Sequence, residues 1–205
     1  MRFSSESKLF LGIIAATVLI IGVAVFAFSR PQKPISKEEL VPATAQTRGN
    51  PDASIYLVEF SDFQCPSCGD AKPIVDAVIS KYQDKLLFAY RHFPLDQHPF
   101  AQMAAEAAEA AGAQGKFWEM YDLLFQNQKE LSKEKIYGLA QDLQLDMDQF
   151  GQDLDDGTYR DKVLGDRNDG IRLGVNETPT FFLNGQKLRL TSLSDIQTEV
   201  EKLLQ

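Results

Sequence analysis

Residues 54–82 read SIYLVEFSDFQCPSCGDAKPIVDAVISKY, and the fold turns on this stretch. Its first part, Ile55-Tyr56-Leu57-Val58-Glu59-Phe60, is a short β-branched and aromatic run broken by one acid, the pattern of a buried central strand. Its last part places Ala71, Ile74, Val75, Ala77, Val78 and Tyr82 at helical spacing. Between the two stand Cys65-Pro66-Ser67-Cys68. A cysteine at a helix's first turn meets unpaired N–H groups and the positive end of the helix dipole, and both favour thiolate over thiol. Cys65 is therefore expected to be exposed and attacking, and Cys68, three residues on, more buried and resolving. Pro66 has no N–H to offer and presets the helical φ, which keeps the pair rigid.

Outward from this stretch the signals alternate. Leu86 to Tyr90 is a second buried strand, and a long helical block follows. Met103 to Ala113 is rich in alanine, the best helix former. Phe117, Met120, Tyr121, Leu124 and Phe125 make one apolar helix face, and Ile136–Leu143 and Tyr159–Leu173 read as further helices, with Asp156-Gly157 as punctuation. Pro179 to Leu183 reads as a strand, Asn184-Gly185 as a two-residue hairpin turn, and Lys187–Leu190 as the partner strand. Ser192 or Ser194 is expected to cap a last helix carrying Ile196, Val200, Leu203 and Leu204. The order βαβ, helical block, ββα predicts an α/β layered fold with a helical insertion at about residues 98–173.

The N-terminus reads differently. Leu9 to Phe28 is a 20-residue run without a charge, long enough at ~1.5 Å per residue to span one hydrocarbon core. A single-pass membrane anchor is the favoured reading; a cleaved signal peptide ending near Ala27-Phe28-Ser29 is the rival, though its apolar stretch usually spans only ~7–15 residues. Residues 30–51 hold four prolines and mixed charges without an apolar period, and read as a linker. The folded unit is then expected over 52–205. The formal charge is −8, and because residues 1–30 carry a local +2, the remainder carries −10. Such a surface repels phosphate backbones and argues against nucleic-acid binding. Two cysteines in the whole chain exclude a disulfide-stapled scaffold.

Glu59 and Thr178-Pro179 add to the cysteine pair. An unpaired carboxylate in an apolar strand is costly, and burial raises its pKa until it exchanges protons near neutral pH. Placed under Cys68, Glu59 would take and return that thiol's proton; a solvent-facing edge glutamate is the competing reading. Pro179 at the start of an apolar strand marks an edge or a cis bond, and would leave Thr178 free to pair with an extended substrate segment. With His92 and His98, the cysteines spell C-x2-C-x23-H-x5-H, but the central gap exceeds the ~12–15 residues of a zinc finger. A passive bridge across two residues would close almost no loop. A non-catalytic polypeptide- or metal-binding module is the alternative from another class.

Glu59-Phe60, Phe63, Cys65-Pro66-Ser67-Cys68, Arg91-His92-Phe93-Pro94-Leu95 and Thr178-Pro179-Thr180-Phe181-Phe182 together resemble the thioredoxin superfamily, and within it the DsbA-like thiol–disulfide oxidoreductases, over about residues 50–205. The resemblance implies a thioredoxin-like fold with an inserted helical domain and a cis peptide at Thr178–Pro179. It implies dithiol–disulfide exchange with exported polypeptides, most often as an oxidant, with Cys65, Cys68, Glu59 and Pro179 as catalytic residues. Thr178, Pro66 and Ser67 would contact substrate, and no cofactor or metal is implied. The anchor and linker look like those of membrane-tethered bacterial members, with the catalytic domain on the extracytoplasmic side. Reoxidation would then fall to a membrane partner of the DsbB or VKOR type. His92 and His98 look like part of the fold.

Two positions depart from the strongly oxidising members. Ser67 replaces a histidine that stabilises the thiolate, and Thr178 before the proline is a choice of reductases and isomerases. The acids Asp62, Asp70 and Glu177 also oppose a thiolate. The expected potential lies between the strong oxidants and thioredoxin, with a membrane-tethered reductase or isomerase as the alternative direction.

Overall fold

A computed structural model describes residues 13–23 and 34–204. The chain divides into two compact units, Met1–Pro34 and Ile35–Gln205. In the first, helix α1 covers 13–23, and Ile14, Val18, Leu19 and Ile21 stand exposed on it. The predicted anchor at 9–28 lies partly outside the described residues. Among those described, no helix is long and apolar enough to cross a membrane.

The second unit is built on a five-stranded sheet ordered β1-β3-β2-β4-β5, from β1 (Gln46–Gly49), β2 (Ile55–Ser61), β3 (Leu86–His92), β4 (Thr180–Leu183) and β5 (Gln186–Lys187). Strands β2 and β3 run parallel, with Glu59 beside Tyr90 and Ser61 beside His92. The other pairings are antiparallel. Strand β2 is central, paired with β3 along its length and with β4 from Leu57 to Phe60, and both its faces are covered, which is why it reads as a near-continuous apolar run.

Alternation along the strands divides the core in two. Leu57, Phe88, Tyr90, Phe181 and Leu183 face helix α3 (Pro66–Tyr82), the insertion and the last helix; Val58, Phe60, Ala89 and Phe182 face Leu40, Phe93 and Val175. The insertion comprises α4 (Ala101–Ala113), α5 (Phe117–Gln126), a 3-10 turn at Gln128–Glu130, α6 (Lys133–Asp142), α7 (Met147–Asp156) and α8 (Arg160–Arg172). Helix α9 (Asp195–Leu204) closes the chain.

Several expectations need correction. The stretch 30–51 is not a linker throughout: from Ile35 on it belongs to the folded unit, with helix α2 (Lys37–Leu40), buried Leu40 and strand β1. Strand β1 has no apolar signature, because Gln46-Thr47-Arg48-Gly49 pairs with the outer edge of β3 and buries none of its side chains. Gly49 is required there: its φ is +89°, and a Cβ would come within 2.2 Å of the Leu86 carbonyl oxygen. Helix α7 escapes the periodicity because only Phe150 and Leu154 are buried, yet Asp146 caps its first turn and Gly157 ends it in the left-handed region. The hairpin turn at Asn184-Gly185 has positive φ at both positions, but its partner strand stops at Lys187. Neither serine side chain caps α9; Asp195 instead accepts from the N–H groups of Thr191 and Ser192.

The insertion is riveted to the sheet by Arg91, almost fully buried on β3. Its Nε donates to Asp166 Oδ1 at 2.7 Å, its Nη2 to Asp169 at 2.8 Å, and its Nη1 to the carbonyls of Glu39 and Leu40. One guanidinium thus joins β3, α8 and α2, and Asp166 also accepts from the His92 N–H. Removing one partner of a buried pair strands the other's charge. Arg91→Leu is expected to lower unfolding free energy by roughly 3–5 kcal/mol, read from urea denaturation.

Candidate active site

Cys65 is the N-cap of α3, with Pro66 at the first helical position. Its carbonyl accepts from the N–H groups of Cys68 and Gly69, and its own N–H donates to the Asp62 carbonyl. The loop before it is pinned from two sides. Asp62 Oδ1 accepts from Gln64 N at 2.6 Å, and Asp62 Oδ2 from Leu95 N and His98 Nδ1 at 2.8 and 2.7 Å. From the insertion, Gln128 Nε2 donates to the carbonyls of Cys65 at 2.7 Å and Phe63 at 2.9 Å. Gly69 makes this approach possible, since a Cβ there would sit 2.6 Å from Gln128 Oε1.

The cysteines are unbridged. Cys68 is fully buried, as expected, while Cys65 is more enclosed than expected, retaining 7% of its surface. The Cys65 thiol points at the Thr178–Pro179 corner and donates to the Thr178 carbonyl, Sγ to O 3.4 Å. The Thr178–Pro179 peptide is cis. Pro179 precedes β4 rather than starting it.

The two sulfurs differ sharply in acidity. Hydrogen bonding from Cys68 brings Cys65 down to about 5 against the opposing effect of burial, with help from Thr178 and from the N–H groups of Cys68 and Ser67. Burial pushes Cys68 well above the ordinary thiol range, and its neighbours Cys65 and Glu59 add to the shift. Donors at the helix head therefore outweigh the acids expected to oppose the thiolate. Asp62 in particular is buried with both oxygens engaged.

Glu59 is 1% exposed on the central strand, which overturns the solvent-facing alternative. Desolvation raises its carboxyl to about 8; Ser61 and Lys72 pull the other way, Asp76 and Cys65 add to the rise, and its Oε2 has no partner. His92 and His98 do not converge on the cysteines. His92 Nε2 pairs with Glu109 Oε1 at 2.8 Å, and His98 is spent on Asp62, so the C-x2-C-x23-H-x5-H spacing does not correspond to a ligand set. Sequence reading missed Gln128, 60 residues after Cys68, because nothing local marks a glutamine that reaches across to another segment's carbonyls. It also passed over Ser61, one small polar residue in an apolar strand.

A sequence model of the family described as thioredoxin matches residues 43–202. Similar solved folds include a thioredoxin-like oxidoreductase from Silicibacter pomeroyi (TM-score 0.71, 24% identity, covering 83% of this chain and 98% of that one). BdbD from Bacillus subtilis gives TM-score 0.69 and 20% identity, covering 83% and 94%. The thiol–disulfide exchange protein alpha-DsbA2 from Wolbachia pipientis gives 0.70 and 23%, covering 82% and 91%. The chain belongs to the thioredoxin family described by that model. Among curated proteins it is 43% identical over 147 residues to Na(+)/H(+) antiporter NhaA 1 of Salinispora arenicola, covering 71% of this chain and 22% of that protein. It is 38% identical over 199 residues to the protein of the same name from Mycolicibacterium gilvum, covering 91% and 32%. The chain thus spans less than a third of these relatives' length, and their name describes the whole of each protein.

Two outcomes follow from the site's electrostatics. Thr178→Val removes a hydroxyl that favours the thiolate and is expected to raise the Cys65 pKa by roughly one unit, followed by thiolate absorbance. Glu59 binds its proton more tightly folded than unfolded, so it favours the folded state at low pH, and this contribution is lost as pH rises from about 4.5 through about 8. In the disulfide form, where neither cysteine titrates, Glu59→Leu is expected to stabilise the protein at pH 8 by a few kcal/mol more than at pH 5, measured by urea unfolding.

Proposed function

We propose that this chain is a thiol–disulfide oxidase that forms disulfides in exported polypeptides, tethered to the membrane by its apolar segment 9–28. The observation that carries the reading is the split between the sulfurs: Cys65 lowered to about 5 at the head of α3, and Cys68 raised in the core behind it. A stabilised thiolate favours the dithiol form, so the disulfide readily accepts electrons. A value near 5 falls between the ~3.5 of the strongest oxidants and the ~7 of thioredoxin.

In this reading a substrate thiolate attacks the Cys65 sulfur of the oxidised pair, and Cys68 leaves and is reprotonated through Glu59. A second substrate thiolate then attacks the mixed disulfide, and Cys65 departs as a thiolate. Two electrons pass from the substrate to the Cys65–Cys68 pair, and a membrane partner of the DsbB or VKOR type removes them. Thr178 and Pro179 offer the edge along which an extended substrate segment lies, with Pro66 and Ser67 opposite. The apolar run and the reactive pair together favour the extracytoplasmic side, where disulfides persist.

Equilibration with glutathione is expected to give a potential between about −120 and −270 mV. A value below that range, with the pair reduced when trapped by an alkylator in cells, would instead support the reductase direction. Cys65→Ser is expected to abolish oxidation of a reduced model substrate; an unchanged rate would favour a non-catalytic binding module.

A further inference from the structure

Four buried side chains form a block on the α3-facing side of the two central strands: Glu59 and Ser61 on β2, Tyr90 and His92 opposite them on β3. Each keeps one polar atom without a hydrogen-bond partner: Glu59 Oε2, Ser61 Oγ, Tyr90 Oη and His92 Nδ1. Buried polar groups are almost always partnered, and an orphaned one costs ~1–3 kcal/mol. Four together, directly under the reactive helix, mark a polar seam inside an otherwise apolar core.

Ser61 holds the key place in it. It lies two residues beyond Glu59, and alternation along β2 points both side chains to the same face. Its hydroxyl completes no hydrogen bond in this state, yet it favours the ionised form of the Glu59 carboxyl and of the Cys68 thiol alike. A hydroxyl can accept a proton from a thiol while giving its own to a carboxylate, since it carries one donor and two lone pairs, and of the seam's two hydroxyls it is that of Ser61 which acts on both Glu59 and Cys68. Glu59 and Cys68 are both enclosed, so a proton passing between them has no bulk water to travel through. We infer that Ser61 is the relay that carries the proton between Cys68 and Glu59 during disulfide exchange.

The step balances as follows. With Cys65 in a mixed disulfide, the Cys68 thiol gives its proton to Ser61 Oγ as the Ser61 hydroxyl proton passes to the Glu59 carboxylate. The Cys68 thiolate attacks the Cys65 sulfur, the Cys65–substrate bond breaks, and the partner leaves as a thiolate. Two electrons go from Cys68 and Cys65 to the partner. In the oxidising direction every transfer reverses. The titratable and charged groups facing this path are Cys65, Lys72 and Asp76 of α3, Tyr90 and His92 of β3, and Tyr121 of α5. Only Ser61 among the seam's residues acts on both ends without carrying charge.

The inference rests on the exchange reading above, and one experiment separates the two. Reduced protein mixed with an aromatic disulfide releases one chromophoric thiol when Cys65 attacks and a second when Cys68 resolves. In the full chain, Ser61→Ala is expected to leave the first release unchanged and slow the second on the order of a hundredfold, the size of a lost general acid–base step. The second release in the parent should fall as pH drops below about 8, where Glu59 is protonated. In Ser61→Ala that inflection should vanish and the rate climb with hydroxide. Ser61→Thr, which keeps the hydroxyl, should restore both. Removing an unpartnered hydroxyl should not lower the unfolding midpoint, so slowing cannot be assigned to misfolding. A second release in Ser61→Ala with parental rate and pH profile would overturn the relay alone. Failure of the parent to release either thiol would sink the exchange reading with it.

Discussion

The molecule is organised around a carboxyl group held where water does not reach. Glu59 occupies the middle of the central strand, flanked by β3 on one side and β4 on the other and roofed by α3. Desolvation there is strong enough to keep the group largely neutral at neutral pH, and only a donor as modest as Ser61 pulls against it from its own strand. Such a residue has no packing merit over the leucine that would fill the same space. Its presence makes sense if the cost of burial is offset by its service to Cys68, whose own thiol is enclosed beside it. The electrostatics of the two cysteines follow from the same geometry. The sulfur at the helix mouth gains donors, while the sulfur one turn in meets desolvation, Cys65 and the neighbouring acid, with Ser61 alone pulling the other way.

The rest of the fold keeps this arrangement still. Arg91 binds β3, the insertion and the N-terminal segment together with one buried guanidinium. On the opposite face of the sheet Glu109, on the alanine-rich α4, meets His92, Lys162 and Gln46, and against the rise that burial imposes His92 and Lys162 draw its carboxyl down to about 2. Aromatic rings fill the space between: Phe63 packs at 5.0–5.8 Å from Tyr90, Tyr121 and Phe125, tying the CPSC loop to α5. Charge is thus placed at the seams between layers and rings in the interior, and the helix carrying the cysteines rests on both.

Much of this was open to reading from the chain. The strand–CPSC–helix unit declares itself through period and composition, and the alanine run and the Phe117–Phe125 face do the same for α4 and α5. A lone acid in Ile55–Phe60 is a loud signal because almost anything else there would be apolar. What escaped notice has a common physical cause. Strand β1 contributes backbone hydrogen bonds, α2 a single buried leucine, and Gln128 an amide aimed at carbonyls 63 and 65 residues back in sequence. None of these writes a period into its own stretch. The enclosure of Cys65 was likewise hidden, since it depends on how closely the Thr178–Pro179 corner approaches, a distance that no local pattern encodes.

The amide of Gln128 gives the helical insertion a hand on the nucleophile's own main chain. Because the grip falls on the carbonyls of Phe63 and Cys65 rather than on side chains, it fixes the pitch of the helix mouth whatever residues fill the dipeptide between the cysteines. The insertion is thereby more than a lid or a spacer. A polypeptide that leans on those helices while its sulfur meets Cys65 presses on the frame that sets the sulfur's acidity, so grip and reactivity are felt through one joint.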